Sequence, residues 1–290
     1  MNSVNDLLKI LILEEIGENQ FNGLSKNVGS PNVFGGQVLA QALNAAYRTI
    51  FNQRVLHSMH AYFLEAGNLN FPITYNVSTI RDGGSFSTRR VTAIQGEKTI
   101  FILAASFHKN EEGYEHQIEM KSNIKPPEEL QSWTDLVVKY GEFLPDKMKR
   151  FLQMERPIEF KPTQMINPME KKDLSPKLDM WFKLKGDTSV LDLATKQQIL
   201  TYISDYNILS AALRPHASFA HYGNTQTASL DHSMWFFRDF NFDDWMLFSI
   251  ESLSASNARG FAKGNIFSRE GKLIASVAQE GLMRPIKKKG

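Results

Sequence analysis

"VLHSMHAYFL" (Val55–Leu64) and "SLDHSMWFFR" (Ser229–Arg238) share the tripeptide His-Ser-Met, each time followed by aromatic residues. The copies begin at positions 57 and 232, a spacing of 175 in a chain of 290 residues. The surroundings repeat too. Before the first copy, "VFGGQVLAQALNAAYRTI" (Val33–Ile50) opens on a Gly35-Gly36 turn. It then places Leu39, Leu43, Ala46 and Ile50 on one helical stripe. Before the second, "TKQQILTYISDYNILSAALRP" (Thr195–Pro215) sets Ile199, Tyr202, Tyr206, Leu209 and Leu213 on a stripe that Pro215 should end.

Runs of strand character follow each copy. After His57 come "FPITYNVSTIRDGG", "FSTRRVTAIQ" and "KTIFILAASFH"; after His232 come "DWMLFSIESLSA", "NARGFAKGNIFSREG" and "KLIASVAQEGLMR". Gly96 and Gly271 punctuate the last hairpin of each set at the same offset as the histidines. The unit is therefore one helix followed by about four antiparallel strands, present twice. Such a unit satisfies its apolar surfaces when the sheet curves around the helix, so the expected class is α+β. The expected organisation is an N-terminal unit at 1–108, a crossover at 109–192 and a C-terminal unit at 193–290. The crossover holds many prolines and charges, with helical potential from Trp133 to Phe151, and should run over an outer surface.

The totals exclude several classes. The 33 basic and 31 acidic residues nearly cancel, which argues against a nucleic-acid partner. The chain has 0 cysteines, so disulfides and thiolate chemistry are excluded, and a reducing cytoplasm is the expected location. "LLKILILEEI" is too short and too quickly followed by Glu14 and Glu15 for a signal peptide, and no apolar run is long enough for a membrane span. "PIKKKG" is expected to be a solvated basic tail. The 7 histidines show no metal-ligand spacing, so no metal or cofactor is expected.

With these motifs in order, the chain resembles the acyl-CoA thioesterase II family. "VFGGQVLAQAL", "HSMHAYFL", "RDGGSFSTRRV", "DHSMWFFR", "SASNARGF" and "VAQEGLMR" carry the resemblance, which spans about Leu7 to Arg284. It implies a tandem double hotdog fold and hydrolysis of fatty acyl-CoA to free fatty acid and coenzyme A. Coenzyme A would then be part of the substrate, and copies of the chain would associate as dimers or tetramers. It further implies a catalytic set of Asp205 on the second helix, Ser229 before "DHSMW" and Gln279 near the C-terminus. Some relatives carry Thr where this chain has Ser229; both supply one hydroxyl.

The residues themselves are compatible with that set. Asp205 lies at the edge of its helix's apolar stripe, whereas the first helix, from Gly35 to Ile50, has no acid. Gln279 alternates with Ala275, Val277 and Met283 on the core-facing side of the last strand, where an amide needs a partner. An activated thioester is open to direct attack by water. Asp205 would take the proton while Ser229 and Gln279 fix the approach of that water. Backbone N–H groups at Gly35-Gly36 are candidate oxyanion donors. Strand alternation puts Ser229, Asp231 and Ser233 on one face and His232 on the other, so "SLDHS" is no triad. "GGSFS" lacks the last glycine of a nucleophile elbow and sits in a hairpin. His57, His60 and His232 are expected to be structural. Arg89, Arg90 and Arg259 are either salt-bridged or in contact with the phosphates of coenzyme A. The rival readings are a hotdog hydratase or dehydratase, which needs a His beside a carboxylate, and a non-catalytic acyl-CoA sensor.

Overall fold

The structure is a computed structural model and describes all residues except 52, 143–148, 150–151, 165–170 and 287–290. It opens on α1 (Val4–Leu11), which buries Val4, Leu7, Ile10 and Leu11 at helical spacing, followed by a small hairpin, β1 (Glu14–Gly17) and β2 (Gln20–Gly23). Helix α2 (Gly35–Tyr47) then leads into β3 (Val55–Phe63), β4 (Ile73–Asp82), β5 (Phe86–Gln95) and β6 (Lys98–His108). After the crossover, α4 (Leu193–Ser204) leads into β9 (Thr225–Ser229), β10 (Asp231–Phe236), β11 (Met246–Ser256), β12 (Arg259–Ser268) and β13 (Leu273–Pro285). The expected repeat is present. Gly96 and Gly271 both adopt positive φ, 62° and 86°, as their hairpins require.

With β7 (Ile158–Pro162) and β8 (Lys177–Leu184) from the crossover, all pairings are antiparallel, and among the described residues they join into one sheet in the order β1-β2-β4-β5-β6-β3-β10-β13-β12-β11-β8-β7, with β9 also on β13. The two His-Ser-Met strands meet at the junction. β3 pairs with β10 so that Met59 faces Met234 and His60 faces Ser233. The inner edges of the units thus cover each other. The remaining edges, β1 and β7, are short, which limits edge-to-edge pairing.

The concave side wraps α2 and α4, which pack against each other. Sheet and partner helix together enclose α2, so Gly36 to Ala46 are buried except Asn44. Its buried polar groups are paired: Gln41 donates to the Ile10 and Leu24 carbonyls and accepts from the Tyr75 hydroxyl at 2.7 Å. The helices approach closely at Gly36. A Cβ there would sit 2.4 Å from the Tyr202 carbonyl oxygen and 2.5 Å from the Phe34 ring. Asp192 caps α4 by accepting from the Thr195 N–H at 2.8 Å.

The region 109–192 does more than connect. It contains α3 (Trp133–Tyr140), within the stretch of helical potential; the remainder of that stretch lies partly outside the described residues, as does most of the basic tail. It also supplies β7 (Ile158–Pro162) and β8 (Lys177–Leu184), which extend the sheet beyond β11. The segment does cross an outer surface: Met120, Ile124 and Leu130 pack on Trp181, Trp245, Leu247, Phe267 and Leu273. The second helix is shorter than its apolar stripe implies. It stops at Ser204, Asn207 takes φ 64°, and α5 (Ser210–Leu213) continues the apolar spacing separately. Asn is among the few residues that tolerate this left-handed region, so hydrophobic period alone does not reveal the break.

Candidate active site

Asp205 occupies the turn that ends α4, half-buried, in αR conformation. Gln279 lies on the concave face of β13 and is fully buried. Ser229 is the last residue of β9. The structure brings all three together. Gln279 Nε2 donates to Ser229 Oγ at 2.9 Å and to Asp205 Oδ1 at 3.2 Å, and Ser229 Oγ donates to the same Oδ1 at 3.3 Å. The Gly36 N–H donates to Asp205 Oδ2 at 2.9 Å.

That last bond changes the expectation for Gly35-Gly36. The Gly36 N–H, expected to face an oxyanion, is spent on the carboxylate. The first turn of α2 therefore holds the acid from the other unit, with the positive end of the helix beside it. Gly35 lets the carboxylate approach the backbone closely, since a Cβ there would lie 2.8 Å from Asp205 Oδ2 and 3.1 Å from the Phe63 ring.

His232 also departs from expectation. Leu230 separates β9 from β10, so simple alternation across Ser229–Ser233 fails, and Ser229 and His232 converge on one partner. His232 Nδ1 is 2.5 Å from Gln279 Oε1, and Nε2 is 2.9 Å from Ser204 Oγ. The ring is fully buried, and burial pushes its pKa below the ordinary value despite the opposing pull of Asp205 and Asp231. A usable signal was present. His232 shares a face with Met234 and Phe236, and a core-facing imidazole needs partners.

The other two candidate histidines are satisfied by hydroxyls: His57 Nε2 by Ser106 at 2.8 Å and His60 Nδ1 by Ser233 at 3.1 Å. Arg89 is corrected from a phosphate candidate to a buried structural group. It is 1% exposed, and its guanidinium donates to Thr49 and to both carboxylate oxygens of Asp82. Arg259 pairs with Glu280 at 2.9 Å, while Arg90 is exposed.

Comparison with known proteins shows the family. A family model described as acyl-CoA thioesterase matches residues 148–282, and one described as acyl-CoA thioesterase N-terminal domain matches 25–108. The chain is 41% identical to acyl-CoA thioesterase 2 of Haemophilus influenzae, covering 97% of this chain and 98% of that protein. The chain belongs to the acyl-CoA thioesterase II family. It is accordingly a thioester hydrolase. The crystal structure of an acyl-CoA thioesterase II from Mycobacterium marinum superposes with a TM-score of 0.77 at 33% identity, covering 96% of this chain and 97% of that one. A hot dog fold protein from Alicyclobacillus acidocaldarius, 15% identical, superposes at 0.76 over 96% and 98% of the two chains, which bears on the fold alone. The fold of this thioesterase is the double hotdog. No helix among its described residues is long and apolar enough to cross a membrane.

Proposed function

We propose that this thioesterase hydrolyses fatty acyl-CoA to free fatty acid and coenzyme A by direct attack of a water activated by the network of Asp205, Ser229 and Gln279. The convergence of Ser229 and Gln279 on one Asp205 oxygen carries the reading. Asp205 is the general base, taking a proton from the water as its oxygen adds to the thioester carbon. The Gly36 N–H and Gln279 fix the carboxylate, and Ser229 orients the water. The tetrahedral adduct then collapses, the C–S bond breaks, and coenzyme A leaves as the thiol by taking the proton held on Asp205, which restores the carboxylate. The steps require no cofactor and no covalent enzyme intermediate. A cytoplasmic location, in keeping with a chain that has 0 cysteines, and self-association belong to the same reading.

The test is thiol release from palmitoyl-CoA by the wild type and by Asp205→Ala. The variant should lose at least ~10²-fold in kcat with its thermal unfolding little changed. A folded variant with full turnover would remove Asp205 from the mechanism. Tight binding without thiol release by the wild type would favour a sensor. Hydration of an enoyl-CoA without thiol release would favour the hydratase.

A further inference from the structure

The structure assigns His232 as a positioning residue that sets which way the Gln279 amide points. The inference rests on Gln279 acting in thioester hydrolysis, as proposed above. An amide offers two donors on nitrogen and only lone pairs on oxygen. Both donors of Gln279 are committed, one to Asp205 and one to Ser229. Its oxygen must then face a donor, and the group it faces is His232 Nδ1. The ring is therefore protonated on Nδ1. Burial keeps the ring neutral, so Nε2 is an acceptor, and the single Ser204 hydroxyl proton lies between it and the Thr201 carbonyl oxygen, 2.8 Å away.

Followed round, the bonds run from Ser204 through His232 and Gln279 to Asp205, the residue next to Ser204. The circuit begins and ends on α4. If Gln279 flipped, its oxygen would face the Asp205 carboxylate and its nitrogen would face the N–H of His232, two repulsive contacts in a buried site. His232 thus makes one amide rotamer much the better, although it touches neither the water nor the thioester in the proposed mechanism. Its counterpart His57 bonds only Ser106, so the repeated histidine has a different task in each unit.

The experiment compares His232→Phe, His232→Asn, Gln279→Leu and the double variant His232→Phe/Gln279→Leu with palmitoyl-CoA, each checked by thermal unfolding. Losing one oriented hydrogen bond should lower kcat of His232→Phe about tenfold with KM little changed. His232→Asn, whose amide N–H can stand where Nδ1–H stood, should recover most of that loss. In the Gln279→Leu background His232→Phe should cost nothing further, because its effect passes through the amide. Equal losses from His232→Phe in both backgrounds would overturn the inference, as that is the behaviour of plain packing. So would full kcat in His232→Phe while Gln279→Leu is impaired. Full kcat in Gln279→Leu would instead refute the proposed role of Gln279. If His232→Phe fails to fold, nitrogen NMR of the wild-type imidazoles decides: a proton on Nδ1 of His232 is required, and one on Nε2 alone overturns the inference.

Discussion

Tyr47 stands twelve residues after the start of α2, and Asp205 twelve residues after the start of α4, so they occupy equivalent places at the ends of the duplicated helices. Each reaches the opening turns of the other helix, Asp205 to the Gly36 N–H and the Tyr47 hydroxyl to Gln197. Their surroundings differ. Ser106 faces Ser58, and Ala278 faces Ser233, so the next residues, Phe107 and Gln279, are counterparts. Phe107 packs edge-on against Tyr47 at 4.9 Å, whereas Gln279 hydrogen-bonds Asp205. Arg54 takes the place of Ser229 and donates to Ser87 and to the Gly83 carbonyl. One end is filled with apolar rings and closed by the Tyr47 hydroxyl, which also accepts from the Leu56 N–H at 2.9 Å. The other keeps two polar side chains, Ser229 and Gln279, around a half-buried carboxylate. The two scaffolds are equal, and under the proposed mechanism side-chain volume at a few positions decides which helix end is free to do chemistry.

The comparison can be broken most sharply at Gln279. Gln279→Phe gives the second unit the residue found in the first. It removes both donors to Asp205 and Ser229 and puts a ring into their space. We expect at least ~10²-fold loss of kcat for thiol release, since small displacements of the attacking group are that costly. Retained turnover would mean that the amide is dispensable and that the difference between the two ends is only apparent.

A smaller effect separates stability from activity. Tyr47→Phe removes one buried hydroxyl that bonds Gln197 and Leu56. Burial already holds that hydroxyl above its ordinary pKa, so it acts as a neutral donor. Unfolding monitored by circular dichroism should report a loss of about 1–2 kcal/mol, with kcat unchanged. An activity loss comparable to that of Gln279→Phe would show that the first helix end also takes part in the reaction.

The sequence made the two units and most of their strands legible, because periods of 2 and 3.6 and the repeated tripeptide are all local patterns, whereas the proposed trio of Asp205, Ser229 and Gln279 rested on the resemblance to a family. It hid what depends on chain breaks and distant contacts. The end of α4 at Asp205 depends on a left-handed Asn207, which a hydrophobic stripe passes over. The convergence of Ser229 and His232 depends on Leu230 separating two strands. β7 and β8 sit among prolines and charges, and their partner β11 lies much later in the chain. Arg89 was partly legible: it alternates with Ser87 and Val91 on the buried face of β5, and a buried guanidinium needs a carboxylate.

That carboxylate, Asp82, provides the mildest test of the contrast. Where the second unit has the neutral Ser229, the first has Arg54, joined with Arg89 to Asp82. Hydrogen bonds from Arg89, and then from Ser87, hold the Asp82 carboxyl below the usual range. A group whose folded pKa lies below its unfolded value of about 3.9 stabilises the fold above that pH, and the contribution fades as pH falls through the folded value. Wild type should therefore melt above Asp82→Asn at pH 7, with the gap closing once pH drops below about 4. Asp82 is 48% exposed, so solvent screens the pair and the effect should be the smallest of the three. Thiol release at neutral pH should be the same for both proteins, because this cluster occupies the place of Ser229 in the unit without the acid. A gap that stays constant into acid would assign the role of Asp82 to its shape and hydrogen bonds alone, and charge would then no longer distinguish the first unit from the second at this position.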